Sequence, residues 1–424
     1  MPAEKKLFAS SRYLHIASFT YKAIFLQLVI CFFLVAAARP VNAQTETVLY
    51  NFRGGTDASG SMLGNLVMDK QGNLYGTTPF GGIANSKCTN GSCGTVFKVT
   101  AAGKERVLYR FTGGADGASP AAGLVIDASG NLYGTTFSGG VGSCPTTGCG
   151  TVFKVTPAGV ETVLYSFTDG NDGALPEGGL AMDKLGNLYG TTEVGIVNTF
   201  GTLFKLTPSG TETVLHYFAG GSDGANPSYG NLLLAAKGNL YGATQGGGTG
   251  GGGTVFKFTA TGTMKILHSF TGGTDGSFPA ANLVMDKLGN LYGTTSLGGG
   301  TCGCGTVFKI TPAGVETVLY TFQGGSDGNG PLLGVVLDAA GNLYGTTEFG
   351  GSTTCAPYTC GVVFELSPSG VETILHDFTL GTDGVIPFGG LTMDKTGNFY
   401  GTTADGGTGK ACTDGCGVVY KLTP

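Results

Sequence analysis

Gly72-Asn73-Leu74-Tyr75-Gly76-Thr77-Thr78 is one phrase of seven. It returns, with at most one change, around Tyr133, Tyr189, Tyr241, Tyr292, Tyr344 and Tyr400, at steps of 58, 56, 52, 51, 52 and 56 residues. That period suits the blades of a propeller and is far too long for one coil of a β-helix. Four β-like runs fill the first period, separated by turn chemistry. They are Asn65–Asp69, Asn73–Thr78, Thr95–Thr100 and Glu105–Phe111, called A, B, C and D below. The A–B turn is Asp69-Lys70-Gln71-Gly72-Asn73, with Asp to cap and Gly for positive φ. Polar and apolar residues alternate poorly in A and D, which fits sheets covered on both faces by neighbours.

Seven such units predict an all-β, seven-bladed β-propeller with four-stranded blades. The ends predict how it closes. Glu46–Phe52 reads as a D strand, and Val418–Leu422 reads as a C strand with no D strand after it. The N-terminal strand is therefore expected to join the last blade and remove the open edges. Composition agrees. Of 424 residues 79 are Gly, too many for a mainly helical chain, since each interior Gly costs a helix about 1 kcal/mol against Ala. The 41% hydrophobic content excludes disorder.

Residues 1–43 read as a secretory signal peptide, followed by a single propeller domain over 44–424. Lys5, Lys6, Arg12 and Lys22 precede an apolar run from Ala23 to Ala38, and small residues lead to Ala43. The run is shorter than the roughly 20 residues a spanning helix needs. Past Ala43 the chain holds 18 basic and 27 acidic residues. Such a balance excludes nucleic acid and anionic membrane as partners. The expected location is secreted, periplasmic or extracellular, with no membrane span in the mature chain.

The segments Leu74–Thr100 and Leu132–Thr156 (LYGTTPFGG…GTVFKVT and LYGTTFSGG…GTVFKVT) resemble the bacterial GloVer tandem repeat of exported proteins with a variable choice of anchor. The resemblance covers nearly all of 44–424. It implies no established activity and no catalytic residues. No sorting tail follows Tyr420-Lys421-Leu422-Thr423-Pro424. The A–B pattern is also similar to NHL-type propellers, which include binding modules, lactonases and lyases.

Ten cysteines form five local pairs in the B–C loops: Cys88/Cys93, Cys144/Cys149, Cys302/Cys304, Cys355/Cys360 and Cys412/Cys416. In an exported chain they read as disulfides. Each six-residue loop gains roughly 2 kcal/mol from its bridge. Cys302/Cys304, with a single residue between them, is expected to be the exception or the most strained. Zinc is the sharper alternative, but it needs four ligands and two meeting loops. Units three and four carry Phe200 and Gly252 where the others have the second Cys.

His216, His268 and His376 occupy the D-strand position of Tyr50, Tyr109, Tyr165 and Tyr320. A position that takes Tyr or His in every unit reads as packing, which counts against Ser-His-Asp chemistry. The D–A loops repeat Asp57, Asp116, Asp172, Asp223, Asp275, Asp327 and Asp383. Seven carboxylates on one face could attract Ca2+. The plainer reading is that Asp-Gly caps a tight turn. No cofactor is otherwise expected, and no metal site is assigned.

The B–C loops are the unlike parts, and apart from Glu193, Glu348 and Asp405 few groups in them could act as acid or base. The longest insertions fall in units one, two, six and seven, so the face should carry a raised rim on one side. The favoured expectation is a non-enzymatic propeller that binds a glycan, peptide or envelope protein through its B–C face. The alternatives are an NHL-like metal-dependent hydrolase or lyase, and a structural surface or adhesion component. A cluster of non-repeated Glu, Asp, Asn or His near the axis would favour the enzyme, and the sequence displays no obvious one.

Overall fold

The computed structural model describes residues 44–424 except 61–63, 89–90, 121, 143, 145–147, 196–199, 228–229, 281 and 352–359. The signal expected over residues 1–43 lies outside the described residues, as does Cys355.

Seven antiparallel blades of four strands follow one another along the chain, one per repeat, and in blade 5 Ser277–Pro279 pairs as a fifth strand. Blade 1 consists of Val67–Met68 (A), Leu74–Thr78 (B), Thr95–Val99 (C) and Glu105–Arg110 (D), hydrogen-bonded in that order. Strand A keeps only two paired residues in most blades, fewer than its β-like run predicts. Its preceding residues turn instead toward the neighbouring inner strand, where Gly64 stands against the Ala122–Gly123 backbone. Blade 7 is assembled from both ends of the chain. Thr45–Asn51 pairs with Val418–Thr423, Thr45 opposite Thr423 and Val48 opposite Tyr420. The ring closes as the end strands predict.

Each D strand carries a β-bulge at its Leu. Val96 faces Tyr109 and Phe97 faces Val107, so Leu108 has no partner. The same shift recurs between strands C and D in the other blades. A bulge adds local twist, and here it turns the outermost strand of every blade.

The core lies between blades. The Phe after each D strand meets the C-strand Phe of the next blade, edge to face in Phe111–Phe153 and Phe52–Phe97, both at 5.1 Å, and tilted in Phe218–Phe256 and Phe270–Phe308. Both rings of each pair are fully buried. At the last seam Phe378 meets Tyr420 instead, at 5.2 Å. Such pairs add about 0.5–1.5 kcal/mol each beyond the area they bury. The second Thr of the phrase is buried, and in blades 1–5 it shares a hydrogen bond with the Thr opening strand C, as in Thr78–Thr95 at 2.9 Å.

Candidate functional site: the loop face and the mouth of the axis

The D–A and B–C loops share one face because they pair with each other. Ala118 bridges Ser138, Ala174 bridges Val194, and Val385 bridges Asp405. The residue before the loop proline is then forced into the left-handed region: Ser119, Leu175, Asn226, Phe278 and Ile386 have φ of 54–58°. Its N–H donates to the carbonyl of the residue before the strand C Gly in the preceding blade, as in Ser119 to Cys93. Its own carbonyl accepts from the residue after strand B, as in Glu193 to Leu175. Non-Gly residues in this region cost on the order of 1–3 kcal/mol each, so the surrounding bonds must hold them there. Gly94 shows why the second Cys of each pair is followed by Gly. At φ 88° a Cβ there would lie 2.6 Å from Pro120 Cδ and press on the Thr78 carbonyl.

The seven repeated Asp residues are bound up in turns. Asp116 Oδ2 accepts from Tyr109 Oη at 3.0 Å and Thr112 N–H at 2.8 Å. Its Oδ1 accepts from Thr112 Oγ1 at 2.6 Å and Gly114 N–H at 3.2 Å. Tyr50–Asp57, Tyr165–Asp172 and Tyr320–Asp327 repeat the phenol contact. The three histidines take the phenol's place: His216 Nε2 is 3.1 Å from Asp223, His268 3.6 Å from Asp275 and His376 3.5 Å from Asp383. The Tyr/His position is thus more than packing, because it also anchors the loop that follows.

Cys88–Cys93, Cys144–Cys149, Cys302–Cys304 and Cys412–Cys416 are disulfides within their own loops, with Cα–Cα distances of 5.1–5.3 Å. Cys360 is bonded too. Cys302–Cys304 is therefore not the unbonded exception. The bridges pack on the D–A loop, with Gly113 against Cys88 and Cys93. In blade 3 the Phe200 ring takes the disulfide's place, 2.8 Å from where a Cβ on Gly220 would stand.

At the axis the repeats differ. The residue opening each inner segment is Asn65, Gly123, Gly179, Asn231, Asn282, Gly334 or Gly390. Asn282 Nδ2 donates to Asn65 Oδ1 at 3.1 Å, although blades 1 and 5 are not neighbours. It also donates to the Leu333 carbonyl at 3.2 Å, and its Oδ1 accepts from Asn231 N–H at 2.7 Å. Asn65 Nδ2 reaches the Leu391 carbonyl at 3.1 Å. Gly fills the other positions because a Cβ on Gly179 would strike Asn231 Oδ1, and one on Gly390 would strike Asn65 Oδ1. Asn231 Oδ1 is buried without a hydrogen-bond partner among the described residues.

Beside this plug stands a non-repeated acid. Glu177 precedes Gly178-Gly179, where Gly179 pairs with Asn231. Burial pushes its carboxyl up to about 7, and the Glu193 charge adds to the shift. Glu193 is raised by burial, and Glu348 is pushed up to about 7 by burial. Asp405 is raised by burial and then by Asp414. Glu177 escaped sequence reasoning because strand B–C loops drew the attention. Its signal was available: blades 5, 6 and 7 carry Ala280, Leu332 and Phe388 at the same place. Carboxyls titrating near neutrality can exchange protons with a bound group. Among the described residues no three His, Cys, Asp or Glu side chains converge as a metal site. Nor is any helix there long and apolar enough to cross a membrane.

No curated protein matches the chain. Among solved structures, a gluconolactonase from Xanthomonas campestris is similar at 14% identity, over 92% of both chains, with a TM-score of 0.44. A luciferin-regenerating enzyme is similar at 14% identity, over 90% of this chain and 96% of that one, with a TM-score of 0.41. These likenesses are of fold alone. The model of the Gloeobacter/Verrucomicrobia repeat matches residues 38–232 and again 228–424, and the chain belongs to that repeat family.

Proposed function

We propose that the chain is an exported, non-enzymatic propeller that binds a ligand or partner through its B–C loop face. A glycan, a peptide or an envelope protein fits this reading. One observation carries it: the repeated Asp residues are bound up in turns, while the loops that differ between blades share the open face. The signal-like residues 1–43 and the local disulfides, which persist in oxidising compartments, support export. The binding rim is the side built by the loops of units one, two, six and seven. No cofactor belongs to this reading, and a calcium titration of ligand binding tests that. The main test is a loop exchange read on a glycan array and with envelope peptides. Replacing the loops of units one and seven by the short loop of unit four should abolish binding and leave the fold intact. Normal binding by the exchanged protein would place the site elsewhere.

A second reading rests on Glu177 and Glu193. Two adjacent carboxyls with raised affinity for protons suit general acid–base work in an NHL-like hydrolase or lyase. Lactone or ester turnover that disappears in Glu177→Gln, with glycan binding unchanged, would favour it. If neither binding nor turnover is found, the remaining reading is a structural surface or adhesion component.

A further inference from the structure

The seam where the ring closes carries a cationic cleft on an acidic protein. Residues 44–424 contain only three arginines, Arg53, Arg106 and Arg110. A cavity of about 740 Å³ lies between the N-terminal strand and the B–C loop of blade 7, lined by Leu49, Tyr50, Asn51, Arg53, Lys410 and neighbouring loop residues. That volume is in the range of small-molecule sites, roughly 300–1,000 Å³. Arg53 and Lys410 are exposed, and no acidic side chain lines the cleft. Asp57 stands nearby, but it is held by the Tyr50 phenol and the Arg53 N–H. Arg110, at the same seam, donates through Nε to the Thr56 carbonyl at 2.7 Å. Asn51 Oδ1 fixes the loop by accepting from Thr408 N–H at 2.8 Å.

Neither Arg53 nor Arg110 belongs to the repeat. The Arg53 position is Thr112, Thr168, Ala219, Thr271, Gln323 or Thr379 in the other blades, and the Arg110 position is Asn51, Ser166, Tyr217, Ser269, Thr321 or Asp377. What all blades share serves the fold, so cations confined to one seam serve something else. Arg presents a planar fork that matches a carboxylate with two parallel hydrogen bonds, and Lys adds a point charge. The cleft is wider than a single small anion needs. Beside the cations it offers apolar surface from Leu49 and Ala411 and the amide of Asn51, the mixed lining that a sugar ring with its hydroxyls fills.

We propose that this cleft binds a carboxylate-bearing saccharide, with Arg53 and Lys410 holding the acid group. The proposal rests on the binding reading above and names its ligand class. Calorimetric titration with a galacturonate trimer tests it, with the neutral galactose trimer and inorganic phosphate as comparisons. The acidic trimer should bind, added salt should weaken it, and Arg53→Gln and Lys410→Gln should each weaken it about tenfold or more. Arg106→Gln, whose guanidinium reaches the Ala158 carbonyl on another seam, should bind as the parent does. Both side chains are exposed and Arg53 donates no side-chain hydrogen bond among the described residues, so the variants should melt like the parent. Equal binding of the neutral trimer, undiminished binding by both variants, or phosphate competing as well as free galacturonate would each overturn it. A different ligand lost on loop exchange would then still sustain the binding reading, whereas loss of all binding partners would sink both.

Discussion

Tyr109 Oη donates to Asp116 Oδ2 at 3.0 Å, tying the end of one outer strand to the loop that enters the next blade. The pair links residues seven apart and recurs at every blade junction: Tyr50, Tyr165 and Tyr320 donate in the same way, and at the other three junctions a His Nε2 stands 3.1–3.6 Å from the Asp. Asp116→Ala removes the acceptor for four donors at once. Urea unfolding should show a loss of about 1–2 kcal/mol. Tyr109→Phe, which leaves the other three bonds, should cost about 1 kcal/mol or less. Equal losses in the two variants would show that the turn bonds contribute nothing.

Blade 4 is a natural deletion of the other repeated cap. In blade 1 Asp69 accepts from Gln71 N–H and Asn73 N–H, both at 2.9 Å, and from Asn73 Nδ2 and Tyr75 Oη. Blade 4 has Ala235 there, and Lys237 in its turn takes φ 71°. Ala235→Asp should therefore stabilise the protein by about 1 kcal/mol, as a restored cap does. Thermal melting with and without the substitution measures it.

Tyr420 is fully buried where the other blades carry Phe, and its hydroxyl has no hydrogen-bond partner among the described residues. Burial holds the phenol far above its ordinary range, with the Glu46 charge adding. An unpaired buried hydroxyl costs about 1–3 kcal/mol. Tyr420→Phe should raise the denaturation midpoint, and a lowered one would reveal a bond that the phenol makes.

Stability should fall as pH rises from mildly acid to neutral. Glu105, Glu161, Glu212, Glu316 and Glu372 are each pushed up to about 7, by burial first and then by the loop Asp of the preceding junction. Their unfolded value is near 4.3. The folded state binds more protons between the two values, so the stability they contribute is present below the unfolded value and lost as pH rises through about 7. The A–B turn carboxylates act oppositely. Burial raises Asp69 and Asp127, but hydrogen bonds from Asn73 and Asn131, backbone N–H groups and Tyr75 and Tyr133 outweigh it and hold them low. Their contribution is lost only in stronger acid, as pH falls through the lowered folded value. Denaturation midpoints against pH should peak on the acid side of neutrality, and Glu161→Gln should flatten the decline above that peak.

The repeat made the architecture legible. A phrase copied seven times fixes blade number, and the unlike ends of the chain fix closure. The strand A lengths were less legible, because the run Asn65–Asp69 looks extended whether or not a neighbour pairs with it. The axial plug was hidden for a related reason. Asn65 and Asn282 lie 217 residues apart, and only the closed ring brings them within 3.1 Å. In the sequence Asn and Gly at that place read as ordinary turn residues. The role of His216 was half legible: its place among tyrosines marked it as structural, but the partner Asp223 emerges only once the strand and its loop fold together.

The pairing of Thr45 with Thr423 sets a timetable. The strand synthesised first completes a sheet whose other members are synthesised last. At roughly 5–20 residues per second the interval is on the order of half a minute. During that time the leading strand has no sheet to join, while its unfilled place at blade 7 does not yet exist. The four strands of each interior blade meet no such delay, and four described disulfides span five residues or fewer. Blades can therefore form in chain order, with the ring staying open until the strand Val418–Thr423 has been made.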